Sequence, residues 1–411
     1  MEYDVRDFGA VGDGKTINTS AIQDAIQKCH LNGGGRVLIT DGVYKSGSFA
    51  LRSNVELYID KGAVLLGSEN LEDYPDYKDM AHATWYKLPR KSSSCFIFAD
   101  ECENIGIAGE GTIDCNGENF VEYCGKLGWS YKRKSLKTPP RVVLFCGCKN
   151  IKVSDVKLVN QPAGWGYWVH DCDDVIFERV FINSNLEYPN NDGIHINCSR
   201  NVFVSDCDIS CGDDSIAVRA NSVSLAECKP CENIRVDNCR FTSYSAGVRI
   251  GWMNDGVIRN CKFTNIKMVD TTVGVSIMFP YINPEQSNDF GVEKTLIEDI
   301  VFSNIKMEKM CSNPVKIQLW EDERVEVNAV QNITFRDIDA NGIEFPMLVG
   351  TEKNKLKNIS FIRCSFEKHP RESIPNRFFH GACSDWDDLY HPMEIKNVDN
   401  LILNEVKLTV L

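Results

Sequence analysis

No apolar run in this 411-residue chain approaches the roughly 18 residues that a membrane-crossing helix requires, so no such span is expected. Residues 1–20 lack the basic start and apolar centre of an export signal, which predicts a cytoplasmic protein unless a leader has been trimmed. Positive charge is short as well: 45 Lys and Arg against 58 Asp and Glu leave a net charge of -13. A phosphate-binding face needs a basic stripe that this balance does not supply, so nucleic acid is not an expected partner, and an anionic substrate would need a local cationic pocket. Helical periodicity is missing outside one N-terminal segment, which excludes a doubly wound α/β fold and a TIM barrel.

Cysteine is not scarce. Eighteen of them would suggest a disulfide framework in a small chain, but a chain this long needs no staples. Cys207, Cys239, Cys261 and Cys364 fall at one apparent position in "SDCDI", "DNCRF", "RNCKF" and "IRCSF". They read as small apolar residues stacked in a ladder, free thiols whose side chains run parallel, in a reducing compartment. "CKPC" at Cys228 and Cys231 is a lone pair without a second ligand pair nearby, so no metal is expected there.

What the chain does have is a repeat. An Asn or Asp followed by alternating apolar and polar residues recurs in "ENIGIAGEGTID", "KNIKVSDVKLVN", "DDVIFERVFINS", "RNVFVSDCDISC", "ENIRVDNCRFTS", "DGVIRNCKFTNI", "QNITFRDIDANG", "KNISFIRCSFEK" and "DNLILNEVKLTV". Each unit is too short to bury its own apolar face, so the units must stack. The expected fold is all-β: a single-stranded right-handed parallel β-helix, a solenoid forming one domain over residues 1–411. Residues 1–70 would hold the N-terminal cap and first coils. The open end requires a cover, and "NTSAIQDAIQKCH" supplies a capping helix with Asn18 or Thr19 as N-cap and Ala21, Ile22, Ala25, Ile26 and Cys29 on one face. Residues 116–140, 281–294 and 366–395 break the rhythm and read as loop insertions walling a cleft. The first carries Trp129, Tyr131 and Lys132-Arg133-Lys134; the last carries Phe378, Phe379, His380, Trp386 and His391.

Within this repeat, "YPNNDGIHINCSRNVFVSDCDISCGDDSIAVRA" places Asp213 and Asp214 one short coil after Asp192, with Gly193 and Gly212 beside them. A one-coil offset sets residues about 4.8 Å apart along the axis, so three carboxylates would crowd one outer face. Like charges so placed repel and raise one another's pKa. The chemistry this suits is glycosidic bond cleavage, one carboxyl protonating the leaving oxygen while the others hold and deprotonate a water. Singly, each aspartate equally suits a β-helix turn, as at Asp171, Asp173 and Asp206.

Over nearly its whole length the sequence resembles glycoside hydrolase family 28, the polygalacturonase and rhamnogalacturonase group. The likeness runs through "VRDFGAVGDGKTINTSAIQDAI", "PPRVVLFCGCKNIKVSDVKLVNQPAGW", Asn190-Asn191-Asp192, where the family has Asn-Thr-Asp, and Gly212-Asp213-Asp214. The resemblance implies that Asp213 is the general acid and that Asp192 and Asp214 position the water of an inverting displacement, with no cofactor or metal. It implies a pectin-derived, uronate-containing oligosaccharide as partner; the long loops beside a cleft and the missing export signal favour trimming from one end, and the loss of the family's Arg-Ile-Lys favours a rhamnogalacturonan or other non-homogalacturonan linkage. Two departures stand out. Ser245-Ala246-Gly247 replaces a Gly-His-Gly motif, and Ser276-Ile277-Met278 replaces the Arg-Ile-Lys that grips a galacturonate carboxylate. The substitutes offered by the sequence are His195 for the imidazole and Arg219 and Arg249 for the cations, Arg249 being equally placed for an ion pair with the aspartates. Asn190 and Trp252 complete the expected substrate-binding set. Trp165, Trp168 and Tyr281 are candidates for stacking on sugar or for core filling. A polysaccharide lyase on the same fold and a non-catalytic carbohydrate-binding solenoid remain open alternatives. The oligomeric state is not legible.

Overall fold

A computed structural model describes residues 1–76, 94–125, 130–135, 141–279, 293–322, 326–370 and 394–411. Two large sheets of 21 and 11 strands run the length of the chain, and the pairings that join successive coils are parallel. This is the expected parallel β-helix. One core of inward-pointing apolar side chains extends from Val5 to Phe366.

Thr19–Leu31 forms the capping helix, with Ile22, Ala25, Ile26 and Cys29 buried against the strands Gly35–Ile39 and Phe49–Ala50. Asn18 sits at the N-cap without a capping bond. Its side chain instead accepts from the Val11 amide at 2.7 Å and donates to the carbonyls of Thr16 and Lys45. The helix is therefore stitched to the first coil instead of being capped on its own.

The repeated Asn has a physical task. Asn104, Asn150, Asn201, Asn233, Asn260, Asn332, Asn358 and Asn400 all adopt left-handed backbone at a coil corner, with φ from 53° to 60°. Asn tolerates this conformation at lower cost than other side chains. Each amide then bonds the counterpart on the next rung: Asn150 donates to Asn104 at 2.7 Å, Asn233 to Asn201 at 3.0 Å, and Asn358 to Asn332 at 2.8 Å. Where two such corners fall inside continuous pairing, the strands become longer than the short ones the sequence suggests, as in Thr295–Met310 and Val327–Gly342.

That corner corrects the cysteine ladder. Cys207 and Cys239 do stack, since Asp208 pairs with Arg240. Cys364 lies in the same row further along, opposite Val406. Cys261 pairs instead with Ile234 and Ile300. The reason is that Asn260, not Asp255, takes the left-handed corner opposite Asn233, so "RNCKF" only mimics "DNCRF" and its coil is offset by five residues. Every described cysteine is a free thiol, Cys228 exposed and Cys231 buried among them.

Of the predicted insertions, part of 116–140 is ordered as an antiparallel hairpin, Val121–Tyr123 with Tyr131–Arg133. The strand Leu356–Lys368 continues past residue 366, and Ile395 already belongs to the next strand, so the last insertion is shorter than 366–395. Trp129, Tyr281, Phe378, Phe379, His380, Trp386 and His391 lie outside the described residues.

The corner ladder yields a prediction. Asn233→Gly keeps the backbone and loses only the amide bonds, costing about 1–2 kcal/mol. Asn233→Val adds left-handed strain of about 1–2 kcal/mol and is the more destabilising; urea denaturation midpoints of the two variants check the order.

Candidate active site

Side chains alternate across the 11-stranded sheet, one set entering the core and one facing away. Read rung by rung, Trp168 pairs with His195, His195 with Ala217, Ala217 with Arg249, Arg249 with Ser276 and Ser276 with Lys316, all on the side away from the core. The three aspartates lie just ahead of two of these strands, Ile194–Asn197 and Ile216–Arg219. Ile194 pairs with Ile216, a step of 22 residues, and carrying that step back sets Asp192 level with Asp214, not with Asp213 as a 21-residue spacing suggests. Asp213 is displaced sideways by one position. The two glycines are required by closeness: a Cβ on Gly193 would lie 2.5 Å from the Ser215 carbonyl, and one on Gly212 2.5 Å from that of Tyr188.

The cluster is enclosed, not spread on an outer surface. Asp192, Asp213 and Asp214 are 3%, 7% and 4% exposed. Each is held differently. Asp214 accepts from the Ser245 hydroxyl at 2.9 Å, the Ala246 amide at 3.2 Å and Arg249 Nε at 2.5 Å. Asp192 Oδ2 lies 3.2 Å from His195 Nδ1. The His195 ring stacks on Trp165 with centroids 3.7 Å apart, and Arg141 lies over Trp165 at 4.1 Å. Asp213 Oδ2 accepts from Asn190 Nδ2 at 3.1 Å, and Asn190 Oδ1 in turn accepts from Arg133 of the hairpin at 3.0 Å.

These environments separate the carboxyls. Burial, then the negative charge of Asp192 and Asp214, lifts the Asp213 pKa well above the carboxylate range, with Arg249 only partly opposing. Burial works against the Arg249 charge too, but Asp214, with Asp213 and Asp192 behind it, more than reverses this and raises its pKa. One carboxyl is thus prepared to carry a proton, beside a carboxylate fixed by a cation.

Several expectations change here. Arg219 makes a two-pronged ion pair with the fully buried Asp255, at 2.6 and 2.9 Å, and so does not present its fork to a ligand carboxylate. His195 does not support Asp213 in place of the family's histidine, because its coil sets it against Asp192. Ala246 contributes its backbone amide to Asp214 instead. Arg249 takes the ion-pair alternative. Of the candidate tryptophans Trp165, Trp168 and Trp252, Trp252 is the most exposed; Arg249 and Arg219 lie 5.4 and 5.8 Å from its ring centre, whereas Trp165 and Trp168 are buried in the wall. Arg133, Arg141, Ser245 and Asp255 make contacts at or beside the site that the sequence reading did not assign. For Asp255 the "DG" turn signal hid it.

The fold and site together define a parallel β-helix with three enclosed carboxyls on one face, one of them with its pKa raised by burial and by its neighbours. A sequence model described as glycosyl hydrolases family 28 matches residues 78–231 and 221–342, and the chain belongs to that family. A probable polygalacturonase of Vitis vinifera is 28% identical over 281 residues, covering 66% of this chain and 55% of that protein. An exo-poly-alpha-D-galacturonosidase of Dickeya chrysanthemi is 29% identical over 289 residues, covering 60% and 47%. The chain thus spans about half the length of these two relatives. Among solved structures, the exopolygalacturonase of Thermotoga maritima superimposes with a TM-score of 0.74 at 21% identity, covering 100% of this chain and 92% of the other, a likeness of fold.

A carboxyl whose pKa is raised by folding binds more protons folded than unfolded. Its contribution is fully favourable below the unfolded pKa near 3.9 and is lost as pH rises through the folded value. Asp213→Asn therefore raises the melting temperature at pH 7, and the difference shrinks toward pH 4; thermal unfolding at both pH values checks it.

Proposed function

We propose that the protein is an inverting glycoside hydrolase acting from one end on pectin-derived oligosaccharides with galacturonate- or rhamnogalacturonan-type linkages. The observation that carries this reading is the enclosure of Asp213 beside two other carboxyls, each held by different partners, an arrangement that raises the Asp213 pKa. Asp213 protonates the leaving oxygen. Asp192, with the proton of His195 on Nδ1 and directed at it, takes the proton of the attacking water; Asp214, its charge committed to Arg249, Ser245 and the Ala246 amide, holds that water and keeps Asp213 protonated. A single displacement by water inverts the anomeric configuration. The names of the relatives support a pectin substrate and include both exo and endo forms. End-on action is supported by the hairpin, whose Arg133 reaches Asn190 and closes that side of the aspartates. Free thiols throughout the coils support a reducing compartment, where short oligosaccharides are the substrate met.

A lyase would need a base such as Arg249, but the ion pair with Asp214 keeps that side chain cationic. A purely sugar-binding solenoid would have no use for a carboxyl held protonated at a cost in stability.

Incubation with oligogalacturonides and with rhamnogalacturonan fragments, read by product mass and anomeric configuration, tests the proposal. Expected is release of one terminal sugar with inverted configuration, reduced ~10²–10⁴-fold by Asp213→Asn and declining as pH rises through the raised Asp213 pKa. Products lighter by one water would mean elimination, and intact sugars in both sets would remove the pectin assignment.

A further inference from the structure

Ser245 stands just ahead of the strand Ala246–Ile250 and is fully enclosed. Ile216 pairs with Val248, and carrying that pairing back sets Ser245 level with Asp213 and Ala246 level with Asp214, one rung away. The backbone of Ser245 is held on both sides. Its amide donates to Ser243 Oγ at 2.9 Å, Ser243 Oγ donates to the Asp213 carbonyl at 2.6 Å, and the Ser245 carbonyl accepts from the Val273 amide at 2.9 Å. What stays movable is the hydroxyl hydrogen, which rotates without displacing a heavy atom. The resemblance sets Ser245 at the first glycine of its family's Gly-His-Gly, so a hydroxyl at this place is this chain's own.

Three groups meet that hydroxyl. Its oxygen accepts from Arg249 Nη2 at 3.4 Å, and its hydrogen is directed at Asp214 Oδ1, 2.9 Å away. Asp213 is within hydrogen-bonding reach of the same hydroxyl, which acts to lower its pKa against the larger effects of burial and of Asp192 and Asp214. One hydroxyl has one hydrogen to give, so it cannot serve both carboxyls in full at the same time. When the hydrogen leaves Asp214, that carboxylate keeps Arg249 Nε and the Ala246 amide. The other titratable groups nearby do not supply a hydrogen to the Asp213 carboxyl: His195 lies against Asp192, and the Cys211 thiol is turned to the Asp213 carbonyl at 3.2 Å.

Building on the hydrolase reading above, on which it rests, we propose that Ser245 is a positioning residue whose one hydroxyl hydrogen serves Asp214 at rest and turns to Asp213 as that carboxyl gives up its proton. In the step itself the Asp213 O–H bond breaks, its proton goes to the leaving oxygen, and the electron pair stays on Asp213 as a carboxylate. Ser245 keeps its own proton throughout and only redirects it. Negative charge thus develops on Asp213 where a fixed donor is already in reach, and no water has to enter the enclosed cluster to meet it.

The test compares pH profiles of kcat and KM for the parent, Ser245→Ala and Ser245→Thr on whichever of oligogalacturonides and rhamnogalacturonan fragments the parent cleaves. Ser245→Ala is expected to lower kcat at least about tenfold, in keeping with loss of one hydrogen bond to a charged group. KM should stay within about twofold, because the hydroxyl acts through Asp213 and not on the sugar. The alkaline limb moves to higher pH in Ser245→Ala, since the ionised Asp213 has lost a donor; Ser245→Thr keeps the hydroxyl and holds the limb where the parent has it. In substrate-free protein with isotopically labelled aspartate carboxyls, the NMR signal of Asp213, identified by its loss in Asp213→Asn, should titrate at higher pH in Ser245→Ala. Should Ser245→Ala not fold, Ser245→Cys, which keeps the shape and weakens the donor, carries the same comparison. An unchanged kcat, a limb and an Asp213 titration that stay put or move down, or a loss that Ser245→Thr shares in full, overturn the role of Ser245 and leave the hydrolase reading standing. Parent protein that cleaves neither set overturns that reading and this role with it.

Discussion

Parallel hydrogen bonding between coils ties every side chain to the one a rung away, and the rest of the molecule follows from that coupling. A residue cannot be placed without placing its neighbours in the row, so each row must be uniform in what it tolerates. The corner row is almost wholly Asn or Asp because it demands left-handed backbone and offers an amide partner above and below. The inward rows are apolar because they have no access to water. The outward row from Trp168 to Lys316 differs, since its rung spacing sets unlike polar groups about 4.8 Å apart without any loop having to hold them.

Negative charge is then the term that this arrangement must accommodate. Three enclosed aspartates on neighbouring rungs cannot all ionise at the cost of an exposed carboxylate. The fold resolves this unequally. Asp214 receives a cation and two neutral donors, Asp192 receives a histidine stacked on Trp165, and Asp213 receives the Asn190 amide and the Ser245 hydroxyl. Burial and the charges of Asp192 and Asp214 outweigh these donors and lift the Asp213 pKa. The carboxyls are thereby told apart by their surroundings, not by any difference in the residues themselves.

The repeat, the solenoid and the three aspartates were legible in the sequence because each depends on a local signal: an Asn before alternating apolar residues, or a glycine beside a carboxyl. Partnerships across rungs were not legible, because they depend on register. A shift of five residues at Asn260 moved Cys261 into another row and freed Asp255 to hold Arg219. A coil of 22 residues in place of 21 changed which aspartate lies level with Asp192. His195 lies against Asp192, and that it meets Asp192 is set by the side of the strand from which the carboxyl approaches, which the sequence does not show. Arg133 shows the same limit from the other direction: 57 residues separate it from Asn190, and only the hairpin brings them together.

Register also separates what a row demands from what it leaves open. Ser276 stands between Arg249 and Lys316 on the outward face, and a change at that position leaves the pairing of its strand intact because the side chain faces away from the core. In a fold where every row advances in equal steps, any group carried on this face lies a whole number of rungs from its neighbours in the row, about 4.8 Å for each.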